Sequence, residues 1–252
     1  MCLIAFSWKT HPRWRLLLAG NRDEFHARPT APLAAWNDAA ILAGRDLEAG
    51  GTWLGVTADS RCAAVTNVRD PHDPQEGISR GKLVSEYLAV RNSASDHIRR
   101  LETTAVAYRP FNLLAFDHEH GRYLGNRPTV HALTISAGLH TLSNANFDTP
   151  WPKTRALAER LRSWQAQAHD EDFEALFRAL ADERMAPDAE LPDTGVGLER
   201  ERWLSSAFIR GPQYGTRAST VVAIGYDGRG WIIERRFGPD GRYDGESIQT
   251  IG

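Results

Sequence analysis

The residues of this 252-residue chain that could do chemistry are few and widely spaced. Cys2 stands directly behind the initiator methionine in MCLIAF, and Asn21, Arg22, Asp23 and Glu24 follow an apolar run in LLLAGNRDEF. Asn67 ends AAVTN, Ser143, Asn144 and Asn146 end HTLSNAN, and Arg217 precedes STVV. A small second residue directs removal of Met1, which would leave Cys2 with a free α-amine. Such a residue holds nucleophile and base together: the thiol attacks, and an amine titrating near neutrality takes and returns the proton. A retained methionine would block that amine. The mechanism needs no histidine, and the nine histidines form no Cys/His arrangement; His26 and His72 fall in loops, while His118 and His120 flank a hairpin turn. On its own, a cysteine here is a small hydrophobe opening a strand. A polar tetrad on its own is a solvated strand end. Together they make a site.

The elements that must position these residues are strands. CLIAFSW and RWRLLLAGN, separated by KTHP, read as an N-terminal β-hairpin. In an antiparallel pair the end of one strand lies beside the start of its partner, so Asn21–Glu24 belong next to Cys2. A Pro-punctuated loop is expected through ARPTAPLAAW, then strands over GGTWLGVT and RCAAVTNV around a turn at Ala58-Asp59-Ser60. SRGKLVSEYLAVRN puts Leu83, Val84, Tyr87 and Leu88 on one helical face, with Ser79 as a cap, and ASDHIRRLE is a second short helix. Strands resume in FNLLAFDHEHGRYLGN, HALTISAG and HTLSNAN, followed by helices over 151–167 and EDFEALFRALAD, the first capped by Asp148-Thr149. MAPDAELPDTGVG reads as an exposed loop, and STVVAIGYDGRGWIIERRF as a hairpin turning at Asp227-Gly228. Antiparallel strand pairs with helices in two blocks predict an α+β fold, in one domain over 1–252. Polar residues at the ends of several strands are the composition of a site at a sheet edge.

Composition limits the remaining classes. A formal charge of −2, with no separate Lys/Arg block, argues against nucleic acid as a partner. Lysine occurs only at Lys9, Lys82 and Lys153, and the arginine excess reads as coding bias more than as a phosphate-binding device. Two cysteines, Cys2 and Cys62, make no disulfide framework and no zinc spacing, so neither metal nor cofactor is expected. Cys62, within RCAAVTNV, is expected to pack without chemistry, and Trp53 of GGTWLG to cover the core. No Gly-rich nucleotide motif follows a strand. With no apolar run of membrane-spanning length and no signal-peptide pattern, the chain reads as soluble and cytoplasmic, with a small molecule as partner.

The strings GNRDEF, GGTWLG, TNVRDP, SRGKLV, FNLLAFD, LSNANFDTPWPK and YGTRASTVV, in order from residue 2 to about residue 222, resemble the NRDE family, also called the transport and Golgi organisation protein 2 family. That family is similar in architecture to N-terminal nucleophile hydrolases, which implies a four-layer αββα sandwich. Within them the chain looks most like the choloylglycine hydrolase and penicillin V acylase branch, which cleaves linear amides with a processed N-terminal cysteine. The resemblance implies Cys2 as nucleophile, Asn67 as oxyanion donor, Asn144 orienting the α-amine or substrate, and Arg217 steadying the thiolate or neighbouring carboxylates. That branch carries an arginine and an aspartate two residues apart on its second strand, whereas Arg22 and Asp23 are adjacent here. Consecutive strand residues point to opposite faces. Either the strand ends or bulges at Asn21, or the working pair is Asn21/Asp23 or Arg22/Glu24. The same resemblance also implies a second possibility, a non-catalytic carrier of haem, lipid or acyl-CoA.

Overall fold

A computed structural model describes residues 2–71, 76–167 and 171–252. The readings made for Met1 and His72 lie outside these ranges. Among the described residues, thirteen strands form two antiparallel sheets. β1 (Cys2–Trp8), β2 (Trp14–Phe25), β10 (Gly138–Leu142), β11 (Tyr214–Gly225), β12 (Gly230–Phe237) and β13 (Tyr243–Ile251) make the first, in the order β10-β1-β2-β11-β12-β13. The second runs in sequence order: β3 (Thr30–Ala35), β4 (Leu42–Asp46), β5 (Leu54–Val56), β6 (Cys62–Asn67), β7 (Phe111–Phe116), β8 (Gly121–Gly125) and β9 (His131–Thr134). The helices are α1 (Gly81–Ala89), α2 (Ala94–Glu102), α3 (Pro152–Gln165), α4 (Glu174–Leu180) and α5 (Leu198–Trp203).

Strand parity explains the layering. On β1, Ile4, Phe6 and Trp8 enter a core between the sheets with Leu16, Leu18, Cys62 and Phe116, while Leu3 and Ala5 point the other way, onto Leu157 and Leu161 of α3. Both faces of β1 are buried, so apart from Ser7 it reads as a continuous apolar run with no alternation. The second sheet likewise packs its outer face on α1 and α2 through Leu83, Tyr87 and Ile98. Helices, sheet, sheet and helices stack in that order, which is the αββα sandwich.

Several local readings need correction. The Pro-punctuated stretch ARPTAPLAAW is not a loop throughout: it holds β3, and Pro32 is tolerated because β3 is an edge strand, while β4 beyond it was not anticipated. Ser79 does not cap α1, which starts at Gly81 with no side-chain cap. Nor do Asp148 or Thr149 cap α3; Trp151 occupies the cap position and Pro152 starts the helix, while Asp148 accepts from the Thr141 amide. α5 and β13 were not anticipated. The glycines of GGTWLG and SRGKLV meet each other: a Cβ on Gly51 would lie 2.4 Å from the Gly81 carbonyl carbon, and the Thr52 amide donates to Gly81 O at 3.2 Å.

Candidate functional site

The register at the start of the first sheet decides how the polar tetrad is shared. Cys2 pairs with Arg22 and Leu3 with Asn21, and β2 stays a regular strand through Phe25. Of the alternatives, Arg22/Glu24 is the pair that shares the inter-sheet face with Cys2. The strand end or bulge at Asn21, the other alternative, is absent, and an irregularity lies on the neighbouring strand: Thr216 pairs with Asp23 and Ala218 with Arg22, so Arg217 is the bulged residue. Asn21 and Asp23 point to the helix-facing side. Asn21 Nδ2 donates to Leu180 O and Ala207 O, both at 2.8 Å, and its Oδ1 accepts from Ser219 Oγ at 2.7 Å. Asn21 is therefore a buried tie between strand and helical layer, outside the cleft. Asp23 accepts from the Thr216 hydroxyl at 2.8 Å. It stands one position past Arg22, just beyond the end of β1, where the backbone nitrogen of Cys2 emerges.

Asn67 and Asn144 close the other side. Ser143, following β10, donates from Oγ to the Cys2 carbonyl at 2.9 Å. Asn144 Nδ2 donates to both the carbonyl and the Oδ1 of Asn67, at 3.0 and 2.9 Å. Behind them Thr66 donates to Ser143 O, and Asn112 Nδ2 donates to Thr66 Oγ1 at 3.1 Å and to Ala145 O at 2.9 Å. This network joins the ends of β6, β7 and β10 across the sandwich and leaves Asn67 partly exposed at the cleft. Asn146 is exposed and its carbonyl shapes the turn toward Thr149.

The cleft holds about 690 Å³. Its floor is a row across four strands, Cys2, Arg22, Ala218 and Arg236. Trp53 packs against the inter-sheet core as expected and also lines the cleft. Its ring lies 3.4 Å from where a Gly20 Cβ would stand. Arg217 also lines the cleft, but its Nη1 is spent on the carbonyls of Phe25, His26 and Arg28, so its contacts shape the segment after β2 and not the thiol. Arg22 approaches Glu24 at 3.5 Å, while its buried Nη1 has no hydrogen-bond partner among the described residues. Cys62 lies apart, fully buried in the inter-sheet core, and burial pushes its thiol up to about 12.

Burial also raises the Cys2 thiol; Asp23 and Glu24 push it the same way and Arg22 opposes them. Sequence reasoning missed the charged layer beneath. Tyr214 OH reaches Asp23 O at 3.3 Å, and burial with the Asp23 and Glu24 charges raises its hydroxyl. Arg69 pairs with Glu201 of α5, both almost fully buried. Lys153 of α3 is 4% exposed. Arg69 and Lys153 sit in TNVRDP and DTPWPK, two of the strings that carried the resemblance, where a lysine or arginine inside an otherwise apolar or capping stretch was the signal available.

A family profile, Transport and Golgi organisation 2, matches residues 1–239. The human Transport and Golgi organization protein 2 homolog is 32% identical over 259 residues, covering 93% of this chain and 92% of the human protein. The Mus musculus homolog is 30% identical, over 93% of this chain and 92% of its own. Among solved structures, the C2A mutant of conjugated bile acid hydrolase from Clostridium perfringens superposes with a TM-score of 0.51 at 9% identity, covering 100% of this chain and 92% of the hydrolase. That likeness shows the N-terminal nucleophile hydrolase fold, and the sequence matches show the kinship: this chain belongs to the Transport and Golgi organisation 2 family.

Proposed function

We propose that the protein is an N-terminal-cysteine amidohydrolase acting on a small amide or acyl metabolite. The observation that carries this reading is the register that sets Arg22 opposite Cys2 and Asp23 one position past it, beside the nitrogen that processing would free. In this reading the Cys2 thiol attacks the amide carbon while the α-amine takes the thiol proton. The amine then returns that proton to the leaving nitrogen, leaving a thioester that water hydrolyses by the same proton route. Burial raises the thiol, so a base acting in the step suits this site better than a standing thiolate. Asp23 holds the amine, and the Asn67 amide, fixed by Asn144, donates to the developing oxyanion.

Intact mass of the purified protein reads whether Met1 is removed, and a thiol-reactive acyl probe followed by peptide mass spectrometry locates the adduct. Labelling at Cys2, abolished in Cys2→Ser and in protein carrying one extra N-terminal residue, is the expected result. Equal turnover by the extended form sinks the mechanism. A second reading, a carrier for haem, lipid or acyl-CoA, draws support from a cleft that runs past Cys2 as far as Arg236 on β12. A carrier would bind its ligand as well in the extended form as in the processed one.

A further inference from the structure

Behind the row that floors the cleft, the same face of the first sheet carries a second row, Gly20, Thr220 and Glu234. Glu234 lines the far end of the cleft although it is only 6% exposed. One of its oxygens is spent. β3 breaks register between Ala31 and Ala34, and the Leu33 amide donates to Glu234 Oε1 at 2.9 Å. That contact pins the edge strand of the second sheet to β12 of the first. The other oxygen, Oε2, makes no hydrogen bond among the described residues. Nor does the buried hydroxyl of Thr220, which stands opposite Glu234 on β11. Protein interiors rarely leave two neighbouring polar groups unspent, and here the carboxyl opens on the cleft. Gly44 of β4, another residue of the cleft wall, keeps the approach clear: a Cβ there would stand 3.1 Å from Oε2.

The neighbours select the kind of group that fits. Arg236 Nη1 lies 3.8 Å from Oε1. Burial raises the Glu234 carboxyl, and the Leu33 amide, Arg236 and Arg22 oppose the rise. Two arginines disfavour a cationic group, and the carboxyl itself disfavours an anionic one. A neutral hydroxyl or amide N–H, donating to Oε2, meets neither objection. Three strand spacings, about 14 Å, separate β1 from β12, so a ligand that reaches both Cys2 and Glu234 is elongated.

We propose that Glu234, with Thr220 beside it, forms a distal subsite that binds a neutral hydroxyl or amide N–H at the far end of an elongated substrate whose carbonyl lies at Cys2. The place of the carbonyl rests on the hydrolase reading, and the subsite stands without it. A plain alkyl chain would fit this cleft poorly, because its methyl end leaves Oε2 buried and unpaired. The competing account is a buried water that bridges the carboxyl and the hydroxyl.

Calorimetry on Cys2→Ala protein, which cannot turn over, reads binding by itself. The probes are ω-hydroxyoctanamide, its methyl-ended isostere nonanamide, and suberic acid monoamide, which ends in a carboxylate. The hydroxyl-ended amide should bind about tenfold or more tighter than either of the others. Adding Glu234→Gln keeps an oxygen on the Leu33 amide and sets an NH2 in the place of Oε2. Suberic acid monoamide should then gain about tenfold or more relative to ω-hydroxyoctanamide. No measurable binding of ω-hydroxyoctanamide, equal affinity for it and nonanamide, or a preference unmoved by Glu234→Gln overturns the proposal and leaves the water. Should Glu234→Gln fail to fold, Gly44→Ala decides, since its methyl crowds Oε2 and should erase the hydroxyl preference. If the preference is found but the p-nitrophenyl ester of ω-hydroxyoctanoic acid leaves no acyl group on Cys2 of the wild-type protein, the subsite stands and the hydrolase reading falls.

Discussion

Asn144→Ala probes the link between the two sheets at the cleft. Asn144 is 1% exposed, and its amide donates to two acceptors on one residue, the Asn67 carbonyl and Oδ1. Its other contact is weak: the single Ser143 hydroxyl proton chooses between Cys2 O at 2.9 Å and Asn144 Oδ1 at 3.2 Å, and the shorter bond prevails. Alanine keeps the backbone bond from the Arg69 amide to Asn144 O and removes both side-chain donations. Two hydrogen bonds at about 1 kcal/mol each, with part of the penalty for an orphaned acceptor, give a loss of about 2–3 kcal/mol. For a chain of this length the melting temperature should fall by about 5–10 °C. Asn67→Ala removes only the Oδ1 acceptor, so Asn144→Ala in that background should cost about 1 kcal/mol less than in wild type. That difference is the coupling. Urea denaturation of the four proteins of the cycle measures it. A loss under about 0.5 kcal/mol for Asn144→Ala, or strict additivity, would refute the idea that these two asparagines hold each other.

Three other perturbations have defined outcomes. Cys62, pushed up to about 12 by burial, should resist iodoacetamide in the native protein, and Cys62→Ala should leave Cys2 labelling intact; modification of Cys62 ahead of Cys2 under native conditions would contradict this. Gly20→Ala sets a methyl 2.8 Å from Leu3 O and 3.1 Å from Ile4 Cγ1, so it should destabilise by about 1–3 kcal/mol and displace Trp53, visible as a change in tryptophan fluorescence. Burial, helped by Arg61 and Arg100, lowers His97 to about 4. The unfolded histidine takes its proton near 6.5, so this contribution is complete above that pH and is lost as pH falls toward 4. Stability measured across that window should decline less steeply in His97→Gln, and an unchanged slope would exclude His97 as its source.

The sequence disclosed those elements whose two faces were written in residue type. β1 and β2 carry the apolar runs CLIAF and LLLA and are joined by KTHP, so their pairing and the nearness of Cys2 to the tetrad were legible. β3, β4 and β13 were not. β3 and β13 are edge strands with mostly exposed or half-exposed residues, and β4 is scarcely more buried, so their pattern resembles a loop. α5 has six residues, four of them charged, and one buried side chain, Glu201. No apolar stripe marks such a helix. Its place is fixed by the Arg69–Glu201 pair, whose members are 132 positions apart.

The tetrad itself shows where residue type stops and register begins. Asn, Arg, Asp and Glu in a row are equally polar, and alternation alone assigns them to two faces without saying which face holds the thiol. The pairing of Cys2 with Arg22 settles that, and it does so by one residue: a register slip of one would trade Arg22/Glu24 for Asn21/Asp23 at the cleft. The interior guards against that slip. Asn21 is locked to two carbonyls of the helical layer, whereas Arg22 at 9% exposure would be stranded there against Leu180 and Ala207. Adjacent Arg22 and Asp23 can therefore serve one cysteine from opposite sides of the sheet, the arginine level with the thiol and the aspartate beyond the strand end, level with the nitrogen. A strand that begins at its cysteine leaves both faces reachable at once, which a cysteine in mid-strand would not allow.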